Sequence, residues 1–448
     1  MDENRSALTT VQPRPRISRL TWGLAAVAVV QPLLVAGVLA WLPPRGSSLT
    51  LHASPVSQFP AASLQLDRQN LGPEPGYRPQ ITNVRIADLD RDGRNDVLVC
   101  DAKRNRVFWY RQLAGGLWEE IPLGDEINAP ACAVPVDVDG DGDLDLVVAG
   151  LGSVYPTDER IGQVVWLENQ GGKFVNRVLL DDVRRVSDVQ AGDLDGDGDV
   201  DVAVAVFGYH HGEILWLENR GGGRFRDHRL LATQGPSHVP LGDFDGDGDL
   251  DIAVLVSQDH EEVWAFENRG QGQFVPRRLH APLNFDLGSA GLISVDLDRD
   301  GKLDLLLSAG DNLEVNHHYP QPWHGCIWLK NEGGWRFTPK RIGAVGGVYA
   351  AAAADFDGDG DLDVVLACMF NDWHSSSSAS LVLLENDGQH NFTPKMLADQ
   401  PIHLATVAAG DLNGDGRPDI VAGSLFLAEF PERTGRVTLW LSRRGGSP

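Results

Sequence analysis

The sequence predicts an all-β fold, a seven-bladed β-propeller of four-stranded antiparallel blades, preceded by one N-terminal transmembrane helix. Three observations predict it. The pattern D-x-[DN]-x-D-G-x-x-D occurs seven times, starting at Asp88, Asp137, Asp193, Asp243, Asp296, Asp355 and Asp411, with a mean period of about 54 residues. A short run of branched apolar residues follows each copy, too brief for a helix and suited to a buried strand. An uncharged apolar stretch occupies Leu20 to Leu42. Self-similarity at a fixed period marks a repeat architecture, so it governs the reading of everything else.

The chain has 448 residues, beyond the usual size of one compact domain, which suits a large repetitive fold. Its 50 Gly and 26 Pro require many turns, and its 42% hydrophobic residues are enough for a packed core. With 38 basic against 63 acidic residues, and a formal charge of −25, it lacks the clustered Lys and Arg that phosphate contacts need. No nucleic-acid partner is expected. Cys100, Cys132, Cys326 and Cys368 form no C-x-x-C, which excludes a zinc ribbon or thioredoxin-type site. Buried free thiols are expected, with Cys100/Cys132 or Cys326/Cys368 bridges as the alternative.

From the N-terminus, residues 1–19 read as a cytoplasmic tail, 20–42 as a signal anchor, 43–56 as a linker and 57–446 as the propeller. The 23 residues from Leu20 to Leu42 carry no ionisable side chain and are long enough as a helix to cross a hydrocarbon core of roughly 30 Å. Arg5, Arg14, Arg16 and Arg19 precede this stretch against only Asp2 and Glu3, so the positive-inside rule exports the chain beyond Trp41. The expected location is the cell membrane, single-pass, with the propeller periplasmic or on the cell surface. Val38-Leu39-Ala40 also has the spacing a signal peptidase accepts, so cleavage is the rival reading.

Within each repeat, a strand leads into the Asp loop and a buried strand such as Val97-Leu98-Val99 or Val364-Val365-Leu366 leaves it. A third strand ends in Asn before a Gly-containing turn, as in Ile214-Leu215-Trp216-Leu217-Glu218-Asn219. An aromatic residue with Leu or Ile five positions later opens the fourth, as in Phe174/Leu179 and Phe337/Ile342. Radial closure of seven such blades removes exposed sheet edges. The last repeat stops one strand short, after Val437 to Leu441, while Phe59 and Leu64 reproduce the fourth-strand signature. The segment Phe59 to Leu64 is therefore expected to complete the last blade. An open solenoid would need distinct capping repeats.

Positions 1, 3, 5 and 9 of each loop crowd four oxygen side chains around a Gly at position 6 that permits a sharp turn. The quartets are Asp88, Asp90, Asp92 and Asp96; Asp137, Asp139, Asp141 and Asp145; Asp193, Asp195, Asp197 and Asp201; Asp243, Asp245, Asp247 and Asp251. The remaining three are Asp296, Asp298, Asp300 and Asp304; Asp355, Asp357, Asp359 and Asp363; Asp411, Asn413, Asp415 and Asp419. Hard oxygen donors suit Ca²⁺, and up to seven ions are expected. An EF-hand fails, because position 12 is apolar in every copy, from Val99 to Ala422. Seven bound calcium ions would offset much of the net charge, so acidity says little about partners.

These loops resemble the calcium signature of the FG-GAP/VCBS repeat family, whose best-known relatives are the propellers of integrin α subunits. The resemblance covers about residues 57 to 446. It implies calcium held in the loop between the first two strands of each blade through positions 1, 3, 5 and 9. Family functions include adhesion, glycan binding and occasional glycan lysis or hydrolysis, so activity is tied less closely to the resemblance than fold and metal are.

In an up-and-down blade the calcium loops share one face, and the second-to-third and fourth-to-first connections share the other. The second face receives the chemically richest loops: Tyr155 to Arg160, Tyr209-His210-His211, Asp259-His260, His317-His318-Tyr319 with Trp323-His324, Trp373-His374, and Glu429-Phe430. Arg184, Arg185, His238 and His403 fall on the fourth-to-first connections of that face. The candidate ligand residues are Tyr209, His210, His211, His317, His318, Tyr319, Trp323, His324, Trp373 and His374, on loops carried by a rigid scaffold. No G-x-S-x-G, H-E-x-x-H or phosphate loop occurs. The expected function is a noncatalytic binding or adhesion module for a glycan or protein, with a polysaccharide lyase or hydrolase as the alternative.

Overall fold

The computed structural model describes residues 57–443 except 75, 259, 285, 314–319 and 427–432. The membrane segment, its flanks and the last residues of the expected propeller lie outside the described residues. Among those described, no helix is long and apolar enough to cross a membrane.

Seven antiparallel sheets follow one another along the chain. Blade 1 shows the plan, with strands Ile81–Ala87, Asp96–Asp101, Arg106–Leu113 and Leu117–Leu123 paired in sequence order. The innermost strands of the other blades are Pro130–Val136, Arg185–Gly192, Pro236–His238 with Leu241–Gly242, Ser289–Val295, Val348–Ala354 and Leu404–Gly410. Each packs beside the next and the last beside the first, closing the ring. In blade 4 the inner strand is split near Pro240, which has no N–H to give to the ladder.

The brief apolar runs form the second strands, and these are the most deeply buried elements. Asp145–Gly150, Asp251–Val256, Asp304–Ala309, Asp363–Cys368 and Asp419–Ser424 are buried at every position. A strand covered on both faces reads as a continuous hydrophobic run, as these do, because each blade lies between two neighbours. Core clusters accordingly span adjacent blades: Val147 and Trp166 of blade 2 pack with Val189, Val204 and Leu217 of blade 3. The expected fourth strands begin at aromatic residues, as in Phe174–Val183, Phe225–Thr233 and Phe392–Ala398. All four cysteines are buried free thiols.

The ring closes through the two ends of the propeller, but not with the expected residues. Leu66–Asn70 pairs antiparallel with Val437–Ser442, with Leu66 opposite Ser442 and Asn70 opposite Thr438. Phe59 to Leu64 lies one blade earlier. There Ala61 bridges Met396, the Ala62 N–H donates to the Met396 carbonyl at 2.9 Å, and Phe59 packs into the blade 5–6 core. The aromatic-plus-five spacing selected a segment that strengthens the outer edge of blade 6, and the closing strand begins two residues beyond it.

Every inner strand carries a one-residue bulge at the same place, between Ile81 and Asn83, Pro130 and Cys132, Val186 and Asp188, and so on to Leu404 and Thr406. A bulge leaves its extra residue unpaired and re-aims the side chain. The seven bulged residues are Thr82, Ala131, Ser187, Ser237, Ala290, Tyr349 and Ala405, and all line one central cavity. Their hydroxyls also join blades: Ser187 Oγ donates to the Pro236 carbonyl at 3.1 Å, and Thr82 Oγ1 to the Pro130 carbonyl at 2.5 Å.

Candidate functional site

Two candidate sites lie on opposite faces. On one, the seven Asp loops share a hydrogen-bond plan. Position 1 accepts the backbone N–H of the position-6 glycine, at 2.8 Å for Gly93 on Asp88 and 3.0 Å for Gly142 on Asp137, Gly198 on Asp193 and Gly248 on Asp243. Those glycines have φ of 82 to 102°, a region that favours residues without a Cβ. Position 9 is buried in every loop and acts as a clasp. Asp251 accepts the Phe244 N–H at 2.9 Å on one oxygen and the Asn268 N–H at 2.8 Å on the other. Asp201 does the same with Leu194 and Asn219, as does Asp419 with Leu412 and Ser442. It thus ties the loop to the end of the third strand, where the Asn side chain adds bonds of its own, as Asn219 Nδ2 donates to the Val200 carbonyl at 3.1 Å and its Oδ1 accepts the Gly221 N–H at 3.0 Å.

The carboxylates converge. Asp88, Asp90 and Asp96 each offer an oxygen within 4.8 Å of the others, as do Asp137, Asp139 and Asp145, Asp193, Asp195 and Asp197, Asp243, Asp245 and Asp251, and Asp296, Asp298 and Asp300. Burial raises the carboxyls of Asp139, Asp195, Asp245 and Asp357 above the usual range, and nearby aspartates add to the shift. Burial also lifts the clasps, Asp201, Asp304 and Asp363 to about 6 and Asp251 to about 7, against the backbone N–H donors. Asp90 Oδ1 and Asp298 Oδ1 are buried without a hydrogen-bond partner. Oxygens only, crowded and under-satisfied, fit a hard divalent cation.

The loops at Asp88 and Asp296 differ from the rest. Position 4 is Arg91 or Arg299, with φ of 55° and 57°, where the other loops have glycine. Arg94 pairs with Asp92, and Arg111 lies 2.5 Å from Asp90 Oδ2. Lys302 Nζ lies 2.7 Å from Asp300, and Lys330 pairs with Asp298. Arg111 and Lys330 occupy the third-strand position held by Glu168, Glu218, Glu267 and Glu385 elsewhere. No ion pair among the described residues reaches the aspartates of the loops at Asp137, Asp193, Asp243 or Asp355.

The second site is the central cavity, about 1050 Å³, lined by the inner strands and by loops of the opposite face. Arg185, Ser187, Asp188, Tyr209, His238 and Tyr349 line it, with Tyr155, Gln258 and Asp311 near the loops. The Tyr209 N–H donates to Asp158 Oδ1 at 2.9 Å, and its ring meets Phe207 edge-on at 5.3 Å. Burial pushes the Tyr349 phenol above its ordinary value, with Asp311 adding to the effect, and burial holds His238 below its ordinary value. Burial drives the Cys132 thiol up to about 12, with Asp188 beside it.

Of the candidate ligand residues, the structure brings Tyr209 to the cavity. His210 and His211 are exposed neighbours of it, with His210 Nε2 3.9 Å from Asp158. His324 is 1% exposed and its Nδ1 accepts the N–H groups of Gln321 and Gly347, both at 3.2 Å. Trp373 is buried in the blade 5–6 core with its Nε1 on the Met369 carbonyl, and Trp323 packs against the blade 4–5 core. His374 is exposed and lies outside the cavity lining. His317, His318 and Tyr319 lie outside the described residues, as do Asp259, Glu429 and Phe430.

Sequence reasoning missed Tyr349 and underused Arg185. The signal for Tyr349 was available, because the bulged residue stands six positions before the first Asp of every loop, and only at Tyr349 is it aromatic.

Comparison with known proteins bears on the fold. Models of the FG-GAP-like repeat match residues 88–148, 137–204, 193–254, 243–307 and 322–366, and the FG-GAP repeat matches 404–440. No curated protein matches the chain. Virginiamycin B lyase from Staphylococcus aureus superposes with a TM-score of 0.52 at 12% identity, covering 84% of this chain and 99% of that one. The structure of BBS1N in complex with ARL6DN, soaked with lead, gives 0.52 at 10% identity, covering 86% and 99%. At these identities the likeness is one of fold alone. The repeat matches span most of the described propeller, and the chain belongs to the FG-GAP repeat family.

Proposed function

We propose that this chain is a membrane-anchored, extracytoplasmic propeller that holds calcium in its Asp loops and binds a glycan or protein ligand, without catalysis, at the loop-rich mouth of its channel. The observation that carries the reading is the cavity of about 1050 Å³ opening among Tyr155, Arg185 and Tyr209. It is at the upper end of small-ligand pocket sizes and combines aromatic faces with a few polar groups. The Arg-rich lead before the Leu20 to Leu42 stretch supports the anchor, and the crowded loop oxygens support calcium.

A polysaccharide lyase or hydrolase is the second reading, favoured by the convergence of Arg185, Tyr209 and Tyr349 on one cavity. Acid–base work at neutral pH needs a group poised near 7. Tyr349 is shifted away from that range, and Asp188 already accepts the Val239 N–H at 2.9 Å. Binding is therefore the better-supported role. The test is an array of glycans and peptides probed with the full-length chain, with product analysis of every positive. Saturable binding abolished by Tyr209→Ala, with no products, is expected. Shortened or unsaturated products would overturn the noncatalytic role, and binding indifferent to Tyr209→Ala would move the site elsewhere.

A further inference from the structure

Among the described residues two arginines are buried, Arg185 and Arg436, and of these only Arg436 has a carboxylate partner there. Arg436, 4% exposed, pairs with Asp101 at 3.3 Å and Glu120 at 2.7 Å. Arg185, 6% exposed, has no carboxylate within ion-pair distance among the described residues. Its Nη1 donates to the Tyr155 carbonyl at 3.4 Å, and its Nε is buried with no hydrogen-bond partner. Its guanidinium lies over the rings of Phe207 at 4.6 Å and Tyr209 at 5.3 Å. Ring contacts of this kind attract a cation but supply no countercharge. A buried, unpaired charge costs folding energy, and this one lines the wall of the central cavity. Asp188, on the same strand, is committed to the Val239 N–H.

We propose that Arg185 anchors the carboxylate of an acidic sugar chain entering the channel mouth. This rests on the binding role proposed for the cavity and names its ligand class. A guanidinium is a planar fork of N–H donors that matches a carboxylate in two parallel bonds, and the Phe207 and Tyr209 rings that it lies against restrain it in advance. The surroundings favour a sugar over an acidic peptide. Tyr155, 61% exposed, stands with Tyr209 and Tyr349 as aromatic faces for pyranose rings, and Ser187, Ser257 and Gln258 line the cavity with hydroxyl and amide groups.

The test uses calorimetric titration of the full-length chain with uronic-acid tetrasaccharides (galacturonate, guluronate, mannuronate and glucuronate) and the same oligomers with their carboxyls reduced to alcohols. At least one acidic oligomer should bind, and carboxyl reduction should weaken it tenfold or more. Arg185→Gln should weaken the acidic form by a similar factor and the reduced form far less, and Arg185→Lys should fall between. Melting temperatures check that the variants fold. Should Arg185→Gln not fold, the acidic-against-reduced comparison on the unaltered chain decides alone. Equal binding of both forms, an equal loss for both in Arg185→Gln, or Arg185-dependent binding of a Glu-rich peptide but no uronate would overturn the proposal. Neutral oligosaccharides that bind through Tyr209 regardless of Arg185 would remove the carboxylate and leave the binding role standing. No binding by any member of the panel would remove the uronate ligand, and the array of glycans and peptides then decides the binding role separately.

Discussion

At His324 the imidazole is a structural acceptor, and its chemistry is readable from its neighbours. Two backbone N–H groups converge on Nδ1, so the proton sits on Nε2 and the ring is neutral. Burial, with the Arg341 cation beside it, pushes its pKa down to about 4. The folded state thus prefers the neutral ring, whereas the unfolded chain takes up a proton near the ordinary value of 6.5. This contribution is complete above pH 6.5 and is lost as pH falls toward 4, by up to about 3 kcal/mol. Urea unfolding at saturating calcium should show the parent chain losing more stability between pH 7 and 4.5 than His324→Asn, whose amide oxygen can accept the same N–H groups. Parallel losses would rule this role out. The sequence could not separate His324 from a ligand histidine, because its burial depends on Gly347, 23 residues away in the next blade. Tyr349 was legible in principle from its fixed offset before the loop. Arg185 stood on the correct face, but its lack of a partner is a property of the packed ring.

Among the elements, the Asp loops were the most legible, because the metal-site pattern recurs seven times at blade spacing. The second job of position 9 was not legible. It depends on where the third strand ends relative to the loop, a matter of register. The loops also fall into unequal classes. Those at Asp88 and Asp296 bring their own cations, Arg94 with Arg111 and Lys302 with Lys330, into the space a calcium ion would neutralise. Lys302 correspondingly holds the Asp300 carboxyl below the usual range. Calcium should therefore fill the loops at Asp137, Asp193, Asp243 and Asp355 first. Lys330→Glu restores the third-strand residue of those blades and frees Asp298, so calcium affinity at this loop should rise about tenfold, the equivalent of roughly 1.4 kcal/mol. Calorimetric titration of the chelated protein would show an additional tight site. Seven equivalent sites in the parent chain, unchanged by Lys330→Glu, would show that the lysine and arginine pairs are irrelevant to loading.

For the molecule as a whole, closure decides how local sites add up. Leu66–Asn70 supplies the outer strand of the blade whose inner strands come from the far end of the chain, so the first and last parts of the ring share one sheet. The repeat arithmetic anticipated that junction but placed it a few residues early, because outer strands share a weak signature that an edge-covering segment can mimic. In a closed ring with cores spanning adjacent blades, one blade cannot open without exposing two neighbours. Calcium bound to separate loops then stabilises a single cooperative unit. At a free concentration 100 times the dissociation constant, each independent site contributes about 2.7 kcal/mol, so four well-formed loops contribute about 11 kcal/mol. A propeller of roughly 390 residues unfolds with an entropy near 0.8 kcal/mol/K, so removing that linkage should lower the melting temperature by about 13 °C. Calcium should restore the transition, and magnesium should do so poorly, because its octahedral, reluctantly dehydrated shell fits such loops badly. Submicromolar calcium would leave sites of micromolar or weaker affinity mostly empty. Calorimetry in EDTA with elemental analysis checks this, and an unchanged transition with fewer than about three calcium ions per chain would reduce the seven loops to acidic turns held by their own backbone N–H groups.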